Sequence, residues 1–187
     1  MLHEDKRSKS SGSNEWWTPK ELFEELCKEY NFYPELDVCA TIDNSLLNQY
    51  FTKKDDALNR DWIKGKIKKK CWCNPPNGDE KITVTITLKN GKKKKVRKNR
   101  KLLSLFIRKA YQQFKDKKIQ TMMIVPVNVQ GTKAWWDAVQ DPMEKGERIS
   151  VRPIKGRRRF LFRGKDSGTS INAYCVVIFG RKNRFMK

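Results

Sequence analysis

Four residues, Asn74-Pro75-Pro76-Asn77, carry the most specific chemical suggestion in this 187-residue chain. They follow a weakly alternating segment, Ile67 to Cys73, which reads as a strand. The strand must stop at the prolines, because proline has no N–H to give a sheet ladder. The result is a rigid turn that sets an amide side chain, Asn74, directly after a strand, with the Pro75 carbonyl beside it. Two such acceptors suit one reaction. An exocyclic amine on a nucleobase is a poor nucleophile, since its lone pair is delocalised into the ring. Hydrogen bonds accepted from both amino hydrogens push that nitrogen toward tetrahedral geometry and ready it for in-line attack on a methyl sulfonium. No histidine base is required, and the one histidine, His3, lies in a polar leader. The alternative is a plain turn whose asparagine bonds its own backbone.

A second candidate is the run Leu36-Asp37-Val38-Cys39-Ala40, an apolar strand carrying an acid near its start and continuing into a loop as far as Asn44. In open α/β sheets ligands sit beyond the carboxyl ends of strands, so both segments mark the same kind of position. Here a carboxylate and several backbone amides could hold a polar ligand. A strand ending in Asp for purely structural reasons is the other reading.

The elements around these segments alternate. Thr18-Pro19-Lys20-Glu21 has the form of a capping box with proline at the first helical position, followed by an apolar stripe of Leu22, Phe23, Leu26, Cys27 and Tyr30. A short strand is expected over residues 49–52. Ile82, Val84, Ile86 and Leu88 alternate with threonines ahead of Asn90-Gly91, the pattern of a β-hairpin returning over Lys92 to Lys98. A helix follows through Leu103, Phe106, Ile107, Ala110 and Phe114, then a strand over 119–127, a helix over 132–140, and strands near 149–154, 159–162 and 171–179. This order predicts an α/β fold with a mostly parallel sheet flanked by helices. Residues 1–14 read as a disordered polar leader and 15–187 as a single domain.

Composition narrows the partners. Lys and Arg total 42 against 21 Asp and Glu, a surplus that attracts phosphate and displaces counterions from nucleic acid. Nine of the thirteen residues from Lys89 to Lys101 are basic, on or after the hairpin. Lys92, Lys93, Lys94, Lys95 and Arg97 therefore read as a phosphate-gripping arm, with a solvated charged loop as the bland alternative. Arg157, Arg158 and Arg159 beside Phe160 form a second basic and aromatic cluster, read as a further nucleic-acid contact. The five cysteines lack zinc spacing and read as buried thiols of a reducing compartment, so no metal is expected. No apolar stretch approaches the ~20 residues needed to span a bilayer, and the expectation is a soluble, intracellular protein.

Taken in order, several blocks resemble the phage-type DNA adenine methyltransferases, small Dam-like enzymes of viruses and mobile elements. The blocks are Glu15-Trp16-Trp17-Thr18-Pro19, Leu36 to Ala40 with Asn44, Tyr50-Phe51-Thr52 leading to Asp56-Ala57-Leu58, Asp61-Trp62, and Trp72-Cys73-Asn74-Pro75-Pro76. Later come Val125-Pro126-Val127, Trp135-Trp136, Lys155 to Phe160 and Tyr174 to Phe179. The resemblance implies a compact Rossmann-like fold that uses S-adenosylmethionine (AdoMet) to methylate the N6 amine of an adenine flipped out of duplex DNA. It assigns Trp17, Thr18 and Pro19 to the methionine end of AdoMet. Asp37, Cys39 and Ala40 fall in the first cofactor motif, Asp56 at the adenine end, and Asn74, Pro75, Pro76 and Asn77 at the catalytic centre. Two departures stand out. The family carries an aromatic ring, usually tyrosine, where this chain has Asn77, with Trp72, Phe160 and Trp135 as possible substitutes. Residues 79–101 are an insertion. Methylation of the cytosine amine, and a noncatalytic DNA-binding protein on a decayed methyltransferase fold, are the alternatives.

Overall fold

The computed structural model describes residues 16–63, 70–169 and 172–182. The expected leader, and the parts of two expected strands at 67–69 and 171, lie outside these residues. Strand β1 (Trp16–Trp17) leads into helix α1 (Lys20–Glu29), then β2 (Leu36–Asp37), β3 (Lys70–Cys73), the hairpin strands β4 (Asp79–Thr87) and β5 (Lys93–Lys101), and helix α2 (Leu102–Lys117). Next come β6 (Gln120–Pro126), a helical stretch from Lys133 to Glu144, β7 (Ile149–Pro153), β8 (Arg159–Phe162), β9 (Lys165–Thr169) and β10 (Tyr174–Phe179).

The central sheet has the order β2-β3-β6-β10-β7. Its first three strands are parallel, whereas β10 runs antiparallel to both β6 and β7. The expected mostly parallel sheet is thus corrected to a mixed one. An apolar run such as Cys175 to Phe179 marks a strand buried on both faces but holds no information about direction. Two further sheets, β1-β8-β9 and β4-β5, are antiparallel throughout.

Strand alternation sorts the core into two layers. Trp72, Met122, Ile124, Val176 and Ile178 face α1, where Leu22, Phe23, Leu26 and Cys27 cover them. Cys71, Cys73, Met123, Val125, Cys175 and Val177 face the opposite way, onto Phe106, Ile107 and Ala110 of α2 and onto Trp135. Helices therefore cover both faces of the sheet, and every loop at the carboxyl ends of β2, β3 and β6 opens on one edge. Trp62 is fully buried in the α2 layer, its backbone N–H donating to Gln113 Oε1 at 2.8 Å and its indole N–H to the Ala57 carbonyl at 2.7 Å.

Three local expectations change. Helix α1 starts at Lys20 with Pro19 in the capping position and no side-chain cap, so the Thr18 capping box does not form. The strand expected over 49–52 is a single bridge between Tyr50 and Asp37. The helix expected over 132–140 is capped by Thr132, passes through one π-helical turn at Trp136–Gln140 and continues to Glu144.

Candidate active site

The carboxyl ends of β2, β3 and β6 border a cavity of about 880 Å³, near the upper end of the ~300–1,000 Å³ common for small-molecule sites. Its walls include Asp37 to Thr41, Asn74 to Asn77, and Pro126, one group from each parallel strand end.

Asn74 is held by its nitrogen. Nδ2 donates to Thr18 Oγ1 at 3.0 Å and to the Trp16 carbonyl at 3.3 Å. A carbonyl only accepts, so the amide must turn its NH₂ toward Trp16, and Oδ1 takes the other side. This explains the missing helix cap: the Thr18 hydroxyl, buried at 7% exposure, serves Asn74 instead of the amides of α1. Pro75 is buried, Pro76 half-buried and Asn77 exposed.

Asp37 is 3% exposed, and its Oδ1 accepts the Cys39 N–H at 3.1 Å. Burial pushes its carboxyl up to about 7, against the opposing pull of backbone N–H groups from Cys39 and Leu46. The backbone amides expected here as ligand donors are committed within the fold. Val38 N–H goes to the Trp72 carbonyl, Cys39 N–H to Asp37, Ala40 N–H to the Phe51 carbonyl, and Thr41 N–H to Asn44 Oδ1. The carboxylate and the side-chain walls are what this segment offers a ligand. The Cys39 and Cys73 sulfurs approach to 3.6 Å. Burial, and then the neighbouring Cys73, raise the Cys39 thiol well above its ordinary range, which keeps it neutral. Cys27, Cys71, Cys73 and Cys175 are buried, and all five cysteines are free thiols.

Of the other residues singled out from the sequence, Trp17, Thr18, Cys39, Ala40 and Asp56 line the cavity, and Pro19 does not. Asp56 is exposed in a left-handed turn and accepts the Asn59 amide at 2.6 Å. Pro19 borders a separate hollow of about 300 Å³ with Arg157, Arg158 and Arg159. Arg158 is paired with Glu25 at 2.6 Å and Arg159 with Asp166 at 3.0 Å. Among the proposed ring substitutes, Trp72 and Phe160 line the cavity while Trp135 is buried elsewhere.

Sequence reasoning named none of the residues at the root of the hairpin. Asp79, Glu80, Lys81 and Arg100 line the cavity mouth, and Glu80 is paired with Lys53 at 3.2 Å and Arg100 at 3.8 Å. The available signal was position, since an insertion directly after Asn77 must emerge at the site. Along the arm, the register divides the basic residues. Lys93, Lys95 and Arg97 lie opposite Thr87, Thr85 and Thr83 on one face. Lys94 and Lys98 share the other face with Ile82, Val84, Ile86 and Val96, and Lys92 sits in the turn, its N–H donating to Asn90 Oδ1.

Comparison with known proteins places the sequence in a family. A model of the family described as DNA N-6-adenine-methyltransferase (Dam) matches residues 6–185. The chain belongs to that family. A relative from Haemophilus phage HP1 (strain HP1c1), named DNA N-6-adenine-methyltransferase, is 32% identical over 69 residues. That stretch is 37% of this chain and 38% of the phage protein. No solved structure matches the chain. Among the described residues of this Dam-family member, no group of three or more His, Cys, Asp or Glu is placed to hold a metal ion, and no helix is long and apolar enough to cross a membrane.

Proposed function

We propose that this protein transfers a methyl group from AdoMet to the exocyclic N6 amine of an adenine turned out of duplex DNA. The observation that carries the reading is the clamped Asn74 amide, whose NH₂ is spent on Trp16 and Thr18 so that Oδ1 is left to accept from a substrate amine. With the Pro75 carbonyl as second acceptor, both amino hydrogens are engaged and the nitrogen lone pair is localised toward the electrophile. The acceptors are fixed by a proline pair and a buried hydroxyl, so little reorganisation accompanies the reaction. The base must leave the helix because its amine is otherwise stacked inside the duplex.

The donor set fits AdoMet. Trp17, Thr18, Asp37, Cys39 and Ala40 would hold it along the strand ends, with Asp56 at the mouth for its adenosine. When bound, the cofactor supplies a methyl group on a cationic sulfur. The Asp37 carboxylate favours a cation in the cavity, and the apolar walls of Phe51, Trp72 and Ile124 limit water. In this reading β2, β3 and β6 form the cofactor-facing half of a Rossmann-like fold, completed by antiparallel strands.

DNA is gripped by the β4-β5 arm. Nine-residue strands at ~3.3 Å per residue reach about 30 Å, close to the ~34 Å of one duplex turn. The face bearing Lys93, Lys95, Arg97 and three threonines has the chemistry of a phosphate contact surface. The arm begins one residue beyond Asn77-Gly78, which brings the duplex to the mouth of the cavity. The arginines at 157–159, two of them already paired with acids, are a secondary contact at most.

Incubation with labelled AdoMet and unmethylated duplex DNA, followed by digestion to nucleosides, tests the proposal. Label in N6-methyl-2′-deoxyadenosine is expected. Label in N4-methyl-2′-deoxycytidine moves the assignment to the other amine, and tight salt-sensitive DNA binding without label points to a noncatalytic protein.

A further inference from the structure

A base outside the duplex has lost both stacking neighbours, and a binding site regains that energy by offering an aromatic face. Asn77 has none. Most rings on the cavity wall are committed elsewhere. Phe51, Trp72, Phe106 and Phe160 are between 1% and 8% exposed. Trp72 is met edge-on by Phe23 at 5.0 Å, and Phe160 packs on Tyr174 at 4.5 Å. Trp17 is pressed against Gly164, where an added Cβ would fall 2.8 Å from the indole.

Trp16 differs. It lines the cavity, is 45% exposed, and its own carbonyl is one of the two acceptors that fix the Asn74 amide. The indole packs on Phe162 with ring centroids 5.3 Å apart and planes tilted by 55°. The backbone is pinned by the same pairing, Trp16 opposite Phe162 in the β1-β8 ladder. An exposed indole of fixed orientation thus sits on the very residue that positions the catalytic acceptor.

We infer that Trp16 is the stacking platform for the flipped base, supplying the aromatic face that residue 77 lacks. This rests on the methyltransferase reading above. A base stacked there has its amine near Asn74, because the residue that carries the indole also holds the Asn74 amide nitrogen through its backbone carbonyl. Trp16 acts by positioning, and the chemistry remains with Asn74 and Pro75.

The test compares wild type, Trp16→Ala, Trp16→Phe and the double variant Trp16→Ala with Asn77→Tyr, each checked for an unchanged melting temperature. Trp16→Ala is expected to lower kcat/KM for duplex DNA by about 10- to 100-fold, the worth of one base–aromatic stack. AdoMet affinity should stay within about twofold, Trp16→Phe should keep most of the activity, and Asn77→Tyr should restore much of the loss by offering a ring from the other side. Binding of single-stranded oligo(dA), whose bases need no flipping, should quench tryptophan emission in wild type and much less in Trp16→Phe. Unchanged kcat/KM in Trp16→Ala overturns the inference. A loss that Asn77→Tyr leaves unrelieved makes Trp16 part of the scaffold, and a loss confined to AdoMet affinity makes it a cofactor contact. Both of those outcomes overturn it too. Absence of methyl transfer by wild type instead sinks the methyltransferase reading, before any variant is compared.

Discussion

Replacing Asp37 with asparagine should change stability in opposite directions at the two ends of the pH range. In the unfolded chain the carboxyl titrates near 3.8, and burial in the folded protein pushes it up to about 7. At pH values below 3.8 it is protonated in both states and its burial carries no charge penalty. Between those values the unfolded chain ionises first, so stability falls as pH rises, and above about 7 the full penalty applies. At about 1.36 kcal/mol per pH unit, that interval corresponds to roughly 4 kcal/mol, an order-of-magnitude ceiling. Asparagine removes the charge but has only one oxygen. It can keep the bond from the Cys39 N–H, while the Leu46 N–H loses its acceptor at a cost of about 1–3 kcal/mol. Asp37→Asn should therefore be less stable than wild type near pH 4 and more stable, by roughly 1–3 kcal/mol, near pH 8. Urea denaturation at half-unit pH steps measures both. Parallel stability profiles for the two proteins between pH 4 and 8 would refute the reasoning. Calorimetry adds a functional arm, since a cationic cofactor should bind wild type more tightly as pH rises from 5.5 to 8, and the variant with little pH dependence.

Thr18→Val keeps the shape of the side chain and deletes one of the two anchors of the Asn74 amide. At about 0.5–1.5 kcal/mol for the hydrogen bond, single-turnover methyl transfer should slow several-fold with DNA affinity unchanged, and an unaltered rate removes Thr18 from the clamp. Alanine at Lys93, Lys95 and Arg97 together should weaken DNA binding across sequences and flatten the salt dependence, by about 0.9 in log–log slope per lost phosphate contact. Alanine at Lys94 and Lys98, on the apolar face, should do less, and equal effects of the two sets contradict the face assignment. Gln113→Ala leaves the buried Trp62 N–H without its acceptor and should cost about 1–3 kcal/mol, measured as a lower denaturation midpoint with the arm's DNA affinity intact.

More of the candidate site than of the sheet was legible in the sequence. A strand followed by Asn-Pro-Pro fixes its own end, because the prolines terminate pairing wherever they fall, and an alternating Ile/Val and Thr run before Asn-Gly can hardly be other than a hairpin. Strand direction and sheet membership lie beyond local pattern: β10 pairs antiparallel with β6 and β7, segments its own residues do not specify, and β1, two residues long, has no periodicity to detect. The Thr18 hydroxyl illustrates the same point. Read locally it caps a helix, but an amide 56 positions away competes for it and wins. Asp37 was visible as an acid near a strand end, whereas the commitment of the neighbouring amides to Trp72, Phe51 and Asn44 required the fold.

The two ends of the arm meet: Asp79 pairs with Lys101, and the Leu102 N–H donates to the Gly78 carbonyl at 3.3 Å. Gly78 and Leu102 are thus already hydrogen-bonded neighbours, with 23 residues looped out between them. In engineering terms this is a cassette site. A chain joined across it by a short turn would keep the strand, the Asn74 clamp and α2 in place, and a different ribbon or reading module could be spliced at the same point. Under the proposed function, the DNA-contacting arm could then be exchanged without rebuilding the rest of the fold.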